Sequence, residues 1–307
     1  MARAATQTEP LLSGEFMRRL DQLAVVSRKI LRGRMQGERR SKKRGQSVEF
    51  ADYRNYVVGD DLRRIDWNLY ARLDKLFLRL FMEEEDLAVS ILLDDTASMD
   101  YGEPHKATYA RRLAAALGYI GLVHYNRVSV FRFTSTITGR LTNLRGRRPI
   151  PRLLEFLDSS NGSDQPDPRW GNLAEVARRF TLAQRHPGVV VIISDFFDKG
   201  DLNAALRCFA AERFDTYAIQ LLAPQEVEPM KGNVVGDLRL RDIEDGDVAE
   251  VSVGPALIRR YKANCQAWCH HVRDLCLKRG IAYMVSETSV PFETLVLQYL
   301  RQRGLLG

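Results

Sequence analysis

The sequence predicts an α/β fold in which a mostly parallel sheet is flanked by helices, and two observations carry that prediction. Short uninterrupted apolar runs, of which Val189-Val-Val-Ile-Ile193 is the clearest, have the pattern of strands buried on both faces. Between them, apolar residues recur at helical spacing, as at Ala110, Leu113, Ala114, Leu117 and Ile120.

Taken in order, Phe16, Leu20, Leu23 and Ile30 form one face of an amphipathic helix that is expected to pack on its own protein. This helix and a basic arm make up residues 1–46, with 41–47 as a linker. Residues 47–86 are rich in charge and in aromatics (Tyr53, Tyr56, Trp67, Tyr70, Phe77, Phe81), which suggests a small subdomain. Residues 87–307 form the main α/β domain. Strands are expected at 87–93, 128–133, 189–193, 216–222 and 281–285, and helices at 110–120, 151–157, 173–184, 202–211, 255–278 and 292–301. Residues 161–171 read as loop. A β-hairpin excursion is expected at 237–253, because Asp245-Gly246 favours a tight turn between two apolar-alternating segments. Pro255 opens the long helix and Gly280 stops it.

At 307 residues and 45% hydrophobic content the chain belongs with ordinary globular proteins. The longest apolar runs fall far short of the roughly 20 residues that cross a bilayer. No signal-type apolar stretch opens the sequence, so a soluble, cytoplasmic protein is expected. Cys208, Cys265, Cys269 and Cys276 are too few for a disulfide scaffold and read as reduced, partly buried thiols. Zinc on Cys265, Cys269 and His270 lacks a second ligand pair. The net charge is +7, and residues 1–50 account for it with 12 Lys or Arg against 5 Asp or Glu. Between residues 28 and 44 nine basic residues face only Glu38, so this arm has the charge to meet phosphate or anionic lipid. No aromatics interleave those charges, which disfavours a dedicated nucleic-acid site.

The chemistry concentrates where strands end. The first strand of the main domain delivers Asp94, Thr96 and Ser98 at alternate positions, and a later strand delivers Asp195. A lone Asp at a strand end is usually a helix cap. If the two strands are adjacent, however, both carboxylates reach one rim with the hydroxyls of Thr96 and Ser98, where ligands bind in open parallel sheets. Carboxylate, hydroxyl and water are the ligands that Mg²⁺ takes, often with only one or two carboxylates.

These residues carry a resemblance. Asp94-x-Thr96-x-Ser98 with Ile193-Ser-Asp195 resembles the metal-ion-dependent adhesion site of von Willebrand factor A domains, whose first motif is D-x-S-x-S. Thr96 replaces the first serine and keeps the hydroxyl. The threonine that the family carries in a second loop is replaced here by the stretch Trp170-Gly-Asn-Leu173, with Asn172 nearest the expected place and Ser163 as an earlier candidate. Upstream, Glu49-Phe50, Tyr53-Arg54-x-Tyr56, Gly59-Asp-Asp61, Arg63, Ile65-Asp-Trp67 and Ala71-Arg72 closely resemble the bacterial family called domain of unknown function 58. That similarity continues through residues 83–85 and 93–99, the Ile243-Glu-Asp-Gly stretch and the helix of Tyr261, covering about residues 45–300. It implies a von Willebrand factor A-like (Rossmann-like) fold and a frequent pairing with MoxR-type AAA+ ATPases in the assembly or maturation of other proteins.

The expected function is a non-enzymatic, metal-dependent protein-interaction module. Asp94, Thr96, Ser98 and Asp195, with Asn172, hold Mg²⁺ or another divalent cation such as Mn²⁺ or Ca²⁺, and a partner offers an acidic side chain to the ion. The alternative is binding of nucleic acid or anionic membrane through the basic arm. A phosphatase of the haloacid dehalogenase type needs an acid two positions after its nucleophile, where this chain has Thr96. No G-x-x-x-x-G-K-[ST] motif is present, against an intrinsic P-loop ATPase. Asp60, Asp61 and Asp66 with Arg54, Arg63, Arg64 and Arg72 are expected to form internal salt bridges and turn caps, and Trp67 to be a packing anchor that exposure would turn into a recognition surface.

Overall fold

A computed structural model describes residues 10–25, 49–58, 60–82, 87–159, 172–184, 186–198, 200–211, 214–229, 236–241, 248–302 and 304–307. The chain divides into two compact units, residues 36–86 on the one hand and residues 1–35 with 87–307 on the other.

In the smaller unit, β1 (Glu49–Asn55) pairs antiparallel with β2 (Phe77–Met82), and α2 (Trp67–Leu73) lies between them in sequence. Its acids serve as caps and ion pairs, as expected. Asp66 accepts from the backbone N–H groups of Asn68 and Leu69 and starts α2, Asp61 accepts from Arg63 N, and Asp60 holds Arg54 at 2.6 Å. Trp67 corrects the packing-anchor expectation. It is 59% exposed and meets Tyr70 edge-on with ring centroids 6.2 Å apart.

The larger unit holds α1 (Gly14–Leu20), then β3 (Ala88–Asp94), α3 (Lys106–Val123), β4 (Arg127–Phe133), β5 (Ile137–Leu144), α4 (Ile150–Asp158), α5 (Leu173–Ala183), β6 (Gly188–Ser194), α6 (Leu202–Phe209) and β7 (Phe214–Leu222). After these come the short α7 (Pro224–Val227), the antiparallel pair β8 (Gly236–Arg241) and β9 (Val248–Val253), α8 (Pro255–Leu277) and β10 (Ala282–Glu287). Six strands form one sheet in the order β10-β7-β6-β3-β4-β5, parallel throughout except for β5. Strands β3, β6 and β7 are buried at every position, and β6 reads as a nearly continuous apolar run, whereas β7 also buries Asp215, Thr216 and Gln220.

Helices cover both faces. On one, α3 packs with α1, α4 and the C-terminal segment against Val89, Ile91 and Leu93. On the other, α5, α6 and α8 cover Leu92, Val190 and Ile192. Small residues bring α3 close to its neighbours: a Cβ on Gly121 would lie 2.6 Å from a Val128 methyl, and one on Gly118 2.7 Å from a Leu153 methyl.

Three expectations change. The N-terminal helix is shorter, because α1 ends at Leu20 and the chain extends to a bridge between Val25 and Leu306, while Ile30 lies outside the described residues. Phe16, Leu20 and Leu23 are buried in the unit's own core, as the apolar face implied. Strand β5 was not expected, since an edge strand carrying Thr138, Gly139, Arg140, Thr142 and Asn143 lacks the buried-strand pattern. The C-terminal helical stretch contains a π-helical turn, Leu295–Tyr299, between Phe292–Thr294 and Leu300–Gln302. The 161–171 loop, the 41–47 linker and the Asp245-Gly246 turn lie outside the described residues. Among the described residues no helix is long and apolar enough to cross a membrane.

Candidate functional site

From β3 the chain continues to β4 on one side of the sheet, and from β6 to β7 on the other, so the crevice of this sheet opens between β3 and β6. Asp94 is the last residue of β3, and Asp195 directly follows β6. The two sequence-predicted acids therefore end adjacent strands, and both are buried.

Each is held by local bonds. Asp94 Oδ1 accepts from Thr96 N at 3.0 Å and from Thr96 Oγ1 at 2.7 Å, and Thr96 Oγ1 lies 2.9 Å from Ser98 Oγ. Asp94 Oδ2 accepts from Ser194 Oγ, which itself accepts from Phe196 N at 2.8 Å. Phe196 turns the chain with φ +56°, a left-handed conformation rare for an aromatic residue. Asp195 Oδ1 then accepts from Phe197 N at 3.0 Å, and the Asp195 carbonyl accepts from Gln220 Nε2 at 2.7 Å. The next acid, Asp95, is engaged by Arg132 Nε at 2.8 Å.

Asp94, Thr96, Ser98 and Asp195 line one depression enclosing about 10 Å³, with Thr134, Ser194 and Asp198 on its walls. That is the size of a single water or small ion. Burial, with the neighbouring Asp195 charge, pushes the Asp94 carboxyl up to about 7 against the bonds from Ser194 and Thr96, which favour the charged form. Asp198 is likewise raised by burial, although Leu173 N and Gly200 N donate to it at 2.6 and 2.7 Å.

Four residues here escaped the sequence reading: Thr134, Asp198, Lys106 and its partner Glu226. Thr134 follows β4 directly, and its hydroxyl is buried with no hydrogen-bond partner among the described residues. Asp198 stands three positions beyond Asp195. Lys106 is fully buried, 2.8 Å from Asp195 Oδ2 and 2.5 Å from Glu226 Oε1. Burial pulls its ammonium toward the neutral form, but Asp195 and Glu226 outweigh that and hold its pKa above the ordinary lysine value. A signal for Lys106 existed, because it sits one helical turn before Ala110 on the apolar stripe of α3. Asn172 does not join the depression. Its side-chain oxygen caps α5, accepting from Glu175 N at 3.0 Å, and Ser163 lies outside the described residues.

The donor set suits a hard cation. Among the described residues no group of three or more His, Cys, Asp or Glu side chains forms a metal array, so an ion here would draw on hydroxyls and water as well as carboxylates. Thr96, Ser98 and the unpartnered Thr134 would supply hydroxyl oxygens, and Asp94 and Asp195 carboxylates.

The family model described as protein of unknown function DUF58 matches residues 52–270. An uncharacterized protein of Mycobacterium tuberculosis, Rv1480, is 30% identical over 237 residues, covering 76% of this chain and 73% of its own. Its Mycobacterium bovis counterpart, Mb1516, matches equally. A crystal structure of the conserved hypothetical protein BatB from Bacteroides thetaiotaomicron aligns over 71% of this chain and 98% of its own, with 18% identity and a TM-score of 0.44.

Proposed function

We propose that this chain, which belongs to the DUF58 family, is a non-enzymatic module that binds a divalent cation at the β3/β6 crevice and, through it, an acidic side chain of a protein partner. The supporting observation is the convergence of Asp94, Thr96, Ser98, Thr134 and Asp195 on one ion-sized depression where the sheet's connections part. A cation there supplies positive charge and an open coordination position. The chain's own residues do the rest: Ser194 and the Phe196 turn fix the Asp94 carboxylate, Phe197 N and Lys106 fix Asp195, and the hydroxyls face the space between.

With Asp195 already paired to Lys106 and Asp198 engaged by Leu173 N and Gly200 N, the site leaves a divalent ion short of neutralising charge, which favours an external carboxylate as the last ligand. The von Willebrand factor A-like character of the fold and a MoxR-type AAA+ ATPase as working partner belong to this reading, supported by the D-x-T-x-S motif and its place at a strand end. The exposed Trp67 and Tyr70 of the smaller unit suit a second protein contact.

Mn²⁺ binding followed by electron paramagnetic resonance, with Mg²⁺ as competitor, tests the cation. Binding by the native chain and its loss in Asp94→Ala support the reading, and no binding by the native chain ends it. Capture of a purified MoxR-type ATPase in Mg²⁺ against chelator tests the partner.

A further inference from the structure

Lys106 is the least expected group in the molecule. A fully buried ammonium is costly unless paired, and this one has two carboxylates, Asp195 at 2.8 Å and Glu226 at 2.5 Å, with the Phe197 ring centroid 5.7 Å away. One of those carboxylates lines the ion-sized depression and the other does not. Glu226 belongs to α7, where its second oxygen accepts from Ala223 N at 2.7 Å. Its neighbour Gln225 exchanges two hydrogen bonds with the Glu103 backbone, at 3.2 and 3.0 Å, in the loop that joins β3 to α3. The same loop is held by Thr288 Oγ1, which donates to the Pro104 carbonyl at 2.7 Å.

We propose that Lys106 is a built-in competitor for the cation: its ammonium and the divalent ion share Asp195, and when the ion draws on Asp195 the ammonium leans on Glu226, so that occupancy of the crevice is relayed to α7. This rests on the cation reading above and adds to it a regulator of affinity and a direction for the signal. Two positive charges on one buried carboxylate repel, so Lys106 keeps the ion's affinity moderate and its exchange fast. Glu226 sets how strongly Lys106 competes, because it neutralises the ammonium from the side away from the ion. The Gln225–Glu103 pair then makes α7 and the β3–α3 loop respond together, next to Thr96 and Ser98.

Mn²⁺ affinity, measured by electron paramagnetic resonance on the full chain, tests this with two variants of opposite sign. Lys106→Met is expected to tighten binding at least about tenfold, and Glu226→Gln to weaken it by a similar factor. Arg178→Met removes one exposed positive charge on α5 and is expected to leave the affinity unchanged, which separates the direct effect from net charge. If the native chain binds Mn²⁺ and Lys106→Met binds it equally, competition is overturned while the cation reading stands. If Lys106→Met does not fold, Glu226→Gln decides, and an unchanged affinity there overturns the proposal. Absence of binding by the native chain ends the cation reading, and this proposal with it.

Discussion

A buried hydroxyl without a partner costs its protein about 1–3 kcal/mol, and the Thr134 hydroxyl is such a group. Thr134→Val keeps the shape and removes the oxygen. Urea unfolding in chelator should therefore show equal or greater stability, by up to ~1 kcal/mol, while Mn²⁺ affinity falls about tenfold. Lower stability with unchanged affinity would remove Thr134 from the ligand set. Asp94 gives a pH dependence. Its carboxyl stands near 7 in the folded chain against 3.8 for an unperturbed group. Between those values the folded state keeps a proton that the unfolded state has lost, so in chelator stability falls as pH rises from 4 to 7, by on the order of 4 kcal/mol, and levels above 7. Asp94→Asn should flatten that slope in thermal melts, and a slope that persists would place its cause elsewhere. At this scale the sequence showed what lies close together along the chain. Asp94, Thr96 and Ser98 are two apart, and Asp195 ends an apolar run. Thr134, Lys106 and Glu226 gain their meaning only when β3, β4, β6 and β7 come side by side, which no local spacing encodes.

Elements were legible where burial on both sides left the sequence mostly apolar. Strands β3, β6 and β7 announce themselves, and β5 does not, because an edge strand solvated on one side carries the composition of a loop. The close approach of β6 to β3 depends on Gly188, where a Cβ would stand 2.1 Å from the Ala88 carbonyl oxygen. That obstacle is backbone, so it cannot rotate away. Gly188→Ala should lower the urea midpoint, with a loss of about 2 kcal/mol or more, and a stability within 0.5 kcal/mol of the native chain, a roughly neutral surface-like value, would show that the strands part easily. Asn172 makes the contrasting case. As the cap of α5 it contributes through Glu175 N, so Asn172→Ala should cost ~1 kcal/mol and leave Mn²⁺ affinity unchanged. Weakened binding at unchanged stability would return it to the ligands that the sequence suggested.

For the molecule as a whole, the competing reading places function in the basic arm, and the core decides how that must be tested. Leu11, Leu12, Phe16, Leu20, Leu23 and Val25 are all buried against the sheet's helices, and Val25 bridges to Leu306 near the chain's other end. Deleting residues 1–44 would strip these side chains from the core, at about 2–5 kcal/mol for each large one, so lost binding in such a deletion says nothing about charge. Substitution of the nine Lys and Arg side chains between residues 28 and 44 by Gln keeps those six apolar side chains in the chain and removes the charge. If the arm meets nucleic acid or anionic lipid, the native chain binds duplex DNA or phosphatidylserine vesicles with an affinity that falls steeply with salt, and the substituted chain does not. The cation reading expects the reverse: little binding to either by the native chain, and an Mn²⁺ affinity that the nine substitutions leave within about twofold, because the arm supplies none of the cation's ligands.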